Sequence, residues 1–167
     1  EDAVMAAAST QASINDKFAL SGGGSNLVAD DAGFPGLVLR YTANRIEIEG
    51  PMVRVAAGAV LQDLVDTTVA AGLDGLHTMT GIPGWVGGAI YGNAGAYGHS
   101  IHEFVAPVRF FDGQEVRAIA PTACAFRSRE TVFQRPQHWT VLDGAQRLSP
   151  GHSAQCRPPA PRPLSIP

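Results

Sequence analysis

Two glycine-rich segments carry the residues best suited to chemistry. The first, Ser21-Gly22-Gly23-Gly24-Ser25-Asn26, places bare backbone N–H groups beside a hydroxyl and an amide. Amides with no Cβ between them can converge on phosphate oxygens, although the same residues also make an ordinary tight turn. The dinucleotide fingerprint G-x-G-x-x-G is not met, because Leu27 stands where the third glycine belongs and residues 28–33 hold no amphipathic helix. A Walker loop is excluded as well, since no Lys follows. The second segment spans residues 81–98 and includes Gly81, Ile82, Pro83, Gly84, Gly87, Gly88, Gly92, Asn93, Gly95, Ala96, Tyr97 and Gly98. Its glycines at 81, 84 and 87, then at 92, 95 and 98, recur at every third residue. A loop of that kind lets backbone amides lie against a large flat ligand, with Tyr91 or Tyr97 offering an aromatic face. A ligand needing both segments has a diphosphate and an aromatic ring system, and FAD meets that description.

Other reactive residue types give less. His77, His99, His102, His138 and His152 lack the spacing of a metal site, so no metal is expected. His99 and His102 read as solvated neighbours of a glycine loop. Cys124, between Ala123 and Ala125, reads as a small core residue, and Asp63 and Asp66 as the wet face of a helix. Arg129, taken alone beside Glu130, reads as half of a surface ion pair.

The elements that must position these residues follow from periodicity. Residues 2–14 are Ala-rich with apolar positions at helical spacing. Phe18-Ala19-Leu20 and Leu37-Val38-Leu39 are short strands, the first running into the glycine turn. Residues 45–49 and 53–55 alternate around Gly50-Pro51 and make a hairpin with one wet face. Leu61, Leu64, Val65 and Val69 mark a helix that Gly72 ends. Residues 105–111 and 114–119 flank Asp112-Gly113, a strong hairpin signal. The pattern is α+β, without the regular βαβ alternation of a doubly wound sheet.

Composition bounds the rest. The chain has 167 residues, 45% of them hydrophobic, and a formal net charge of -3, enough apolar mass for one compact domain. No basic block is present to grip nucleic acid, and no apolar run is long enough to span a bilayer. Two cysteines make no disulfide framework, so a reducing, cytoplasmic setting is expected. Residues 150–167 hold six of the twelve prolines and no acidic residue. They are expected to be a tail outside the fold, either disordered or out of frame.

Three blocks, in order, resemble the UDP-N-acetylenolpyruvoylglucosamine reductase family. They are residues 20–28 with Gly33-Phe34-Pro35-Gly36-Leu37-Val38, residues 81–98, and Cys124-Ala125-Phe126-Arg127-Ser128-Arg129-Glu130-Thr131-Val132-Phe133. The resemblance implies a two-lobed FAD-binding domain of the vanillyl-alcohol-oxidase-like (PCMH) type over residues 1–148, incomplete at its first lobe. It places 149–167 in a Pro-rich tail and implies that the family's substrate-binding domain is absent. It implies FAD held by Gly22, Gly23, Gly24, Ser25 and Asn26 and by Gly81, Ile82, Pro83, Gly84, Gly87, Gly88, Asn93, Gly95, Ala96 and Tyr97. NADPH would be the electron source and a UDP-sugar the substrate, and Arg129 would take the place of the family's active-site arginine. Departures from the family are Ser128 where it has Tyr, Thr131 where it has Ser, and an irregular Asp143-Gly144-Ala145-Gln146-Arg147 where it has an apolar strand. The block carrying the family's proton-donating Ser has no counterpart after residue 148. Another FAD-linked oxidase of the same superfamily, or a non-catalytic remnant, is the alternative.

Overall fold

In a computed structural model of the chain, the described residues are 17–135 and 139–151. The helix expected over 2–14, together with His138, His152, Cys156 and most of the Pro-rich stretch, lies outside them.

The described chain begins with two short strands, β1 (Phe18–Ser21) and β2 (Leu37–Arg40), paired in parallel so that Ser21 stands opposite Arg40. Two hairpins and a late strand then build the main sheet. They are β3 (Ile46–Glu49) with β4 (Met52–Ala56), β8 (Val105–Phe111) with β9 (Val116–Ile119), and β10 (Thr140–Arg147). The order β3-β4-β10-β8-β9 is antiparallel throughout, with β10 inserted between the two hairpins. Both hairpins stand where the alternation and the Asp112-Gly113 turn place them. Gly113 turns at φ 100°, and the Asp112 carboxylate accepts N–H bonds from Gln114 and Glu115.

Helix α1 (Leu61–Ala70) buries Leu61, Leu64, Val65 and Thr68, while Asp63 and Asp66 face solvent as expected. Gly72 ends it with φ 71°. A second helix, α2 (Val86–Tyr91), runs through the middle of the glycine-rich segment, which the spacing alone presents as a loop. Six residues with two glycines give no readable helical period; tertiary contacts form the helix instead. Gly87 lies against Ala57, where an added Cβ would come within 2.7 Å of the Ala57 Cβ. Gly144 on β10 leaves room for Ile90, whose Cδ1 would sit 2.6 Å from a Cβ there. The core lies between these helices and one face of the sheet, around Val53, Val55, Leu64, Leu76, Met79, Ile90, Val108 and Phe110.

Short pairs complete the frame. The strand β5 (Leu73–Asp74) pairs with β11 (Ser149–Pro150), and β6 (Gly95–Ala96) pairs with β7 (His99–Ser100). The Gly151 N–H donates to the Gly72 carbonyl. Backbone pairing therefore continues through residues 149–151, beyond the boundary expected at 148. Asp143 to Arg147, irregular in sequence, are part of β10, with register shifts against β8.

Candidate functional site

The loop after β1 is held from below by the start of α2. Gly24 takes φ 78°, and its carbonyl accepts the Leu27 N–H. No acceptor is found among the described residues for the N–H groups of Gly23, Gly24, Ser25 or Asn26, which stand in an exposed loop. Trp85 packs under the loop, leaving 3.0 Å between its Nε1 and a Cβ at Gly23, and 3.7 Å between its Cε3 and a Cβ at Gly22. The Ser25 hydroxyl sits on Gly84, 2.7 Å from where a Cβ would be. Trp85 is aligned by its bridge to Val60 and by the Leu61 N–H donating to the Gly84 carbonyl. The guanidinium of Arg40, at the end of β2, lies 4.7 Å over the Trp85 ring. Beside it opens a cleft of about 380 Å³ lined by Arg40, Thr42, Asn44, Val60, Asp63 and Trp85, among others.

A second cleft, about 520 Å³, opens at the other end of α2. Asn93, just past the helix, is 6% exposed. Its Nδ2 donates to the Arg127 carbonyl at 2.8 Å, and its Oδ1 has no partner among the described residues. Arg129 joins from 34 residues away, its Nη2 donating to the Gly95 carbonyl at 3.2 Å. It makes no ion pair with Glu130, which lies 3.7 Å from Arg135 instead. Gly95, Ala96, Tyr97, Ser100, His102, Arg127 and Ser128 also line this cleft. The backbone here is held in uncommon regions, with φ of 42° at Asn93, 56° at Tyr97 and 59° at Arg129, as strained residues at binding sites often are.

Charges around the second cleft are fixed locally. Ser100 and Glu103 form a capping box, and His99 Nδ1 donates to the Glu103 carboxylate at 2.9 Å. The His99 bond first, then the Ser100 N–H, holds the Glu103 carboxyl below the usual carboxylate range. The Ser100 hydroxyl and His102 Nδ1 are 2.5 Å apart, and His102 lies against Phe126. Cys124 is buried, and desolvation pushes its thiol up to about 11, as suits a small core residue. No group of His, Cys, Asp and Glu able to hold a metal occurs among the described residues.

The residues singled out from the sequence thus fall into two groups. Asn93, Gly95, Ala96, Tyr97 and Arg129 meet in the second cleft. Gly22, Gly23 and Gly84 gather around Trp85 and Ser25. Others serve the frame: the Gly87 N–H donates to the Ala57 carbonyl, the Gly81 N–H to Gln62 Oε1, and Ile82 packs on the core. Pro83 and Gly88 line neither cleft, and no Cβ contact explains the glycine at 88. Tyr91 projects outside both clefts, its carbonyl accepting from Thr131 and Gln134. Sequence reasoning missed Arg40 and Trp85, whose meeting depends on the β1–β2 register and the Val60–Trp85 bridge. It also read His102 as merely solvated and left Arg127 without a role.

The arrangement suits an elongated dinucleotide. Exposed amides and a guanidinium stand at one end of α2, an orphaned buried oxygen and a wide cleft at the other. Six helical residues separate the two ends by about 9 Å, a span such a ligand can bridge. Residues 1–116 match the family model described as an FAD binding domain, and the chain belongs to that family.

Its relatives are more particular. The chain is 46% identical over 155 residues to the UDP-N-acetylenolpyruvoylglucosamine reductase of Solibacter usitatus, covering 93% of this chain and 50% of that protein. It is 40% identical over 126 residues to the enzyme so named in Streptomyces avermitilis, covering 74% of this chain and 35% of that one. The crystal structure of UDP-N-acetylenolpyruvylglucosamine reductase from Thermus caldophilus superposes with a TM-score of 0.75 at 26% identity, over 88% of this chain and 54% of that chain. The chain spans half or less of the length of these two curated relatives. Among the described residues, no helix is long and apolar enough to cross a membrane.

Proposed function

We propose that the chain is the flavin-holding part of a UDP-N-acetylenolpyruvoylglucosamine reductase. Such an enzyme reduces the enolpyruvyl double bond of a UDP-sugar to give UDP-N-acetylmuramate for peptidoglycan synthesis, with NADPH as the electron source. The cytoplasm, where both nucleotides are made, is the corresponding setting. The observation that carries the reading is the meeting of Asn93 and Arg129 in one cleft at the end of α2, in a chain resembling proteins of that name. FAD, when bound, supplies a two-electron carrier that accepts hydride from NADPH and returns it to carbon.

The chain's own residues do the rest. The loop from Gly22 to Asn26 offers N–H donors to the diphosphate, and Asn93 Oδ1 accepts a donor from the bound ring system. Hydride addition at the terminal methylene leaves an electron pair on the carbon bearing the substrate carboxylate, and the charge spreads onto that carboxylate. Arg129, with Arg127 beside it in the lining, stabilises this charge as it grows. A proton then completes the reaction at the carboxylate-bearing carbon. Tyr97 offers an aromatic face at the mouth of the cleft.

The test starts with the purified chain, stripped of free flavin and incubated with FAD. Flavin absorbance is expected to survive gel filtration and to bleach with NADPH under anaerobic conditions. In a version extended to the full length of the relatives, UDP-N-acetylglucosamine enolpyruvate is expected to shift the flavin band, and Arg129→Ala to abolish that shift while the flavin stays bound. A folded, colourless chain that takes up no FAD would refute the reading. So would bound flavin that answers neither NADPH nor the sugar nucleotide but is reduced by a simple alcohol or hydroxy acid.

A further inference from the structure

The glycine loop carries no cation of its own, which leaves open what neutralises a diphosphate lying on it. The fold supplies one from the neighbouring strand. Ser21, the last residue of β1, is in register with Arg40, the last residue of β2. The loop and the guanidinium therefore leave the same edge of the parallel pair, the carboxyl ends of its strands, where α/β pairs commonly receive ligands. Arg40 forms no ion pair among the described residues, although Asp63 lines the same cleft. Its contact is the indole of Trp85, 4.7 Å from the guanidinium carbon to the ring centroid. That indole also packs on Gly22 and Gly23. A guanidinium over an aromatic ring spends its charge on the π face and not its N–H groups, so these stay available to an anion.

We propose that Arg40, held on Trp85, binds the diphosphate of FAD between the glycine loop, which packs on the same indole, and the cleft of about 380 Å³ that opens beside it. The inference rests on the flavin reading above and adds to it a charged group that neither glycine segment contains. Arg40 donates N–H bonds to the diphosphate oxygens opposite the amides of Gly23 to Asn26, so the anion is gripped from two sides. Trp85 positions Arg40 and so ties the cofactor's anionic centre to the first residue ahead of α2. Thr42, Asn44 and Asp63 remain to receive the polar sugar beyond it.

Affinity of the purified chain for FAD, measured across a range of salt concentrations, tests this directly. Arg40→Gln is expected to weaken FAD binding by roughly ten- to a hundredfold, as loss of a charge-assisted bond does, and to flatten the salt dependence seen in the parent chain. Arg40→Lys should recover part of both effects, as a point charge without the planar fork. Trp85→Phe should bind almost as the parent does and Trp85→Leu less well, because only the former keeps a ring face. If Arg40→Gln leaves affinity unchanged, or lowers it without changing the salt slope, Arg40 does not touch the diphosphate and the proposal falls while the flavin reading stands. UDP and NADPH, titrated separately, distinguish the other diphosphates. If Arg40-dependent, salt-sensitive binding follows either of them and not FAD, the cleft serves a substrate and the assignment is wrong. A folded parent chain that binds no FAD at all ends both the proposal and the reading beneath it.

Discussion

Tyr97 is held in a conformation its side chain disfavours. It and Gly98 form the two-residue turn between β6 and β7 with φ of 56° and 88°, the type I′ pattern in which Asn or Gly is preferred. The residue is 94% exposed, so its side chain makes little packing contribution to offset that strain. Tyr97→Asn is therefore expected to raise thermal stability, by up to about 1 kcal/mol, while weakening flavin retention; unfolding curves and FAD titration read the two effects separately. Glu103 gives a pH signature. Its depressed carboxyl contributes stability above the ordinary Glu range, and that contribution is lost as the pH falls through the lowered folded value. Glu103→Gln should be less stable than the parent at neutral pH, and the two melting curves should converge in acid. At this scale the sequence shows residue types well and meetings poorly. Asn93 and Arg129 are legible because a recognisable block surrounds each of them. Arg40 and Trp85 stand in no motif, and only strand register brings them together.

Among the elements, α2 shows how packing can make a helix that propensity would not. Gly87 has its N–H on the Ala57 carbonyl and its Cα against the Ala57 side chain. Gly87→Ala should push the helix off that support and cost about 1–3 kcal/mol, read as a lower denaturation midpoint. On β10, Gln146 is fully buried, and neither its Oε1 nor its Nε2 finds a partner among the described residues. An amide buried in this way costs about 1–3 kcal/mol. Gln146→Leu, of similar bulk, should therefore be more stable than the parent, and an unchanged or lowered midpoint would show that the amide is satisfied in solution. The hairpins and α1 could be read from alternation and spacing because each is encoded within at most 15 residues. The place of β10 between the two hairpins could not, since its partners β4 and β8 are distant in sequence.

At the scale of the molecule, the parallel pair β1–β2 shares no strand hydrogen bonds with the five-stranded sheet among the described residues. Side-chain contacts such as Trp85 on Gly22 and Gly23 join the two parts, and so does Gly58 against the carbonyls of Tyr41 and Ala43. A ligand gripping both parts should stabilise their union. FAD at a hundred times its dissociation constant is expected to add about 2.7 kcal/mol, seen as a rise in melting temperature of several degrees. Riboflavin, lacking the diphosphate, should give a smaller rise. The placement of the tryptophans has an optical consequence. The chain has two: Trp139 lies among Phe110 and Phe133 beside the core, and Trp85 stands at the seam between the parts. Indole emission overlaps flavin absorption, so Trp85 can pass its excitation to a cofactor in the adjoining cleft. In a chain with Trp139 replaced by Phe, the remaining fluorescence would report, without any attached dye, whether the seam is closed and whether it is filled.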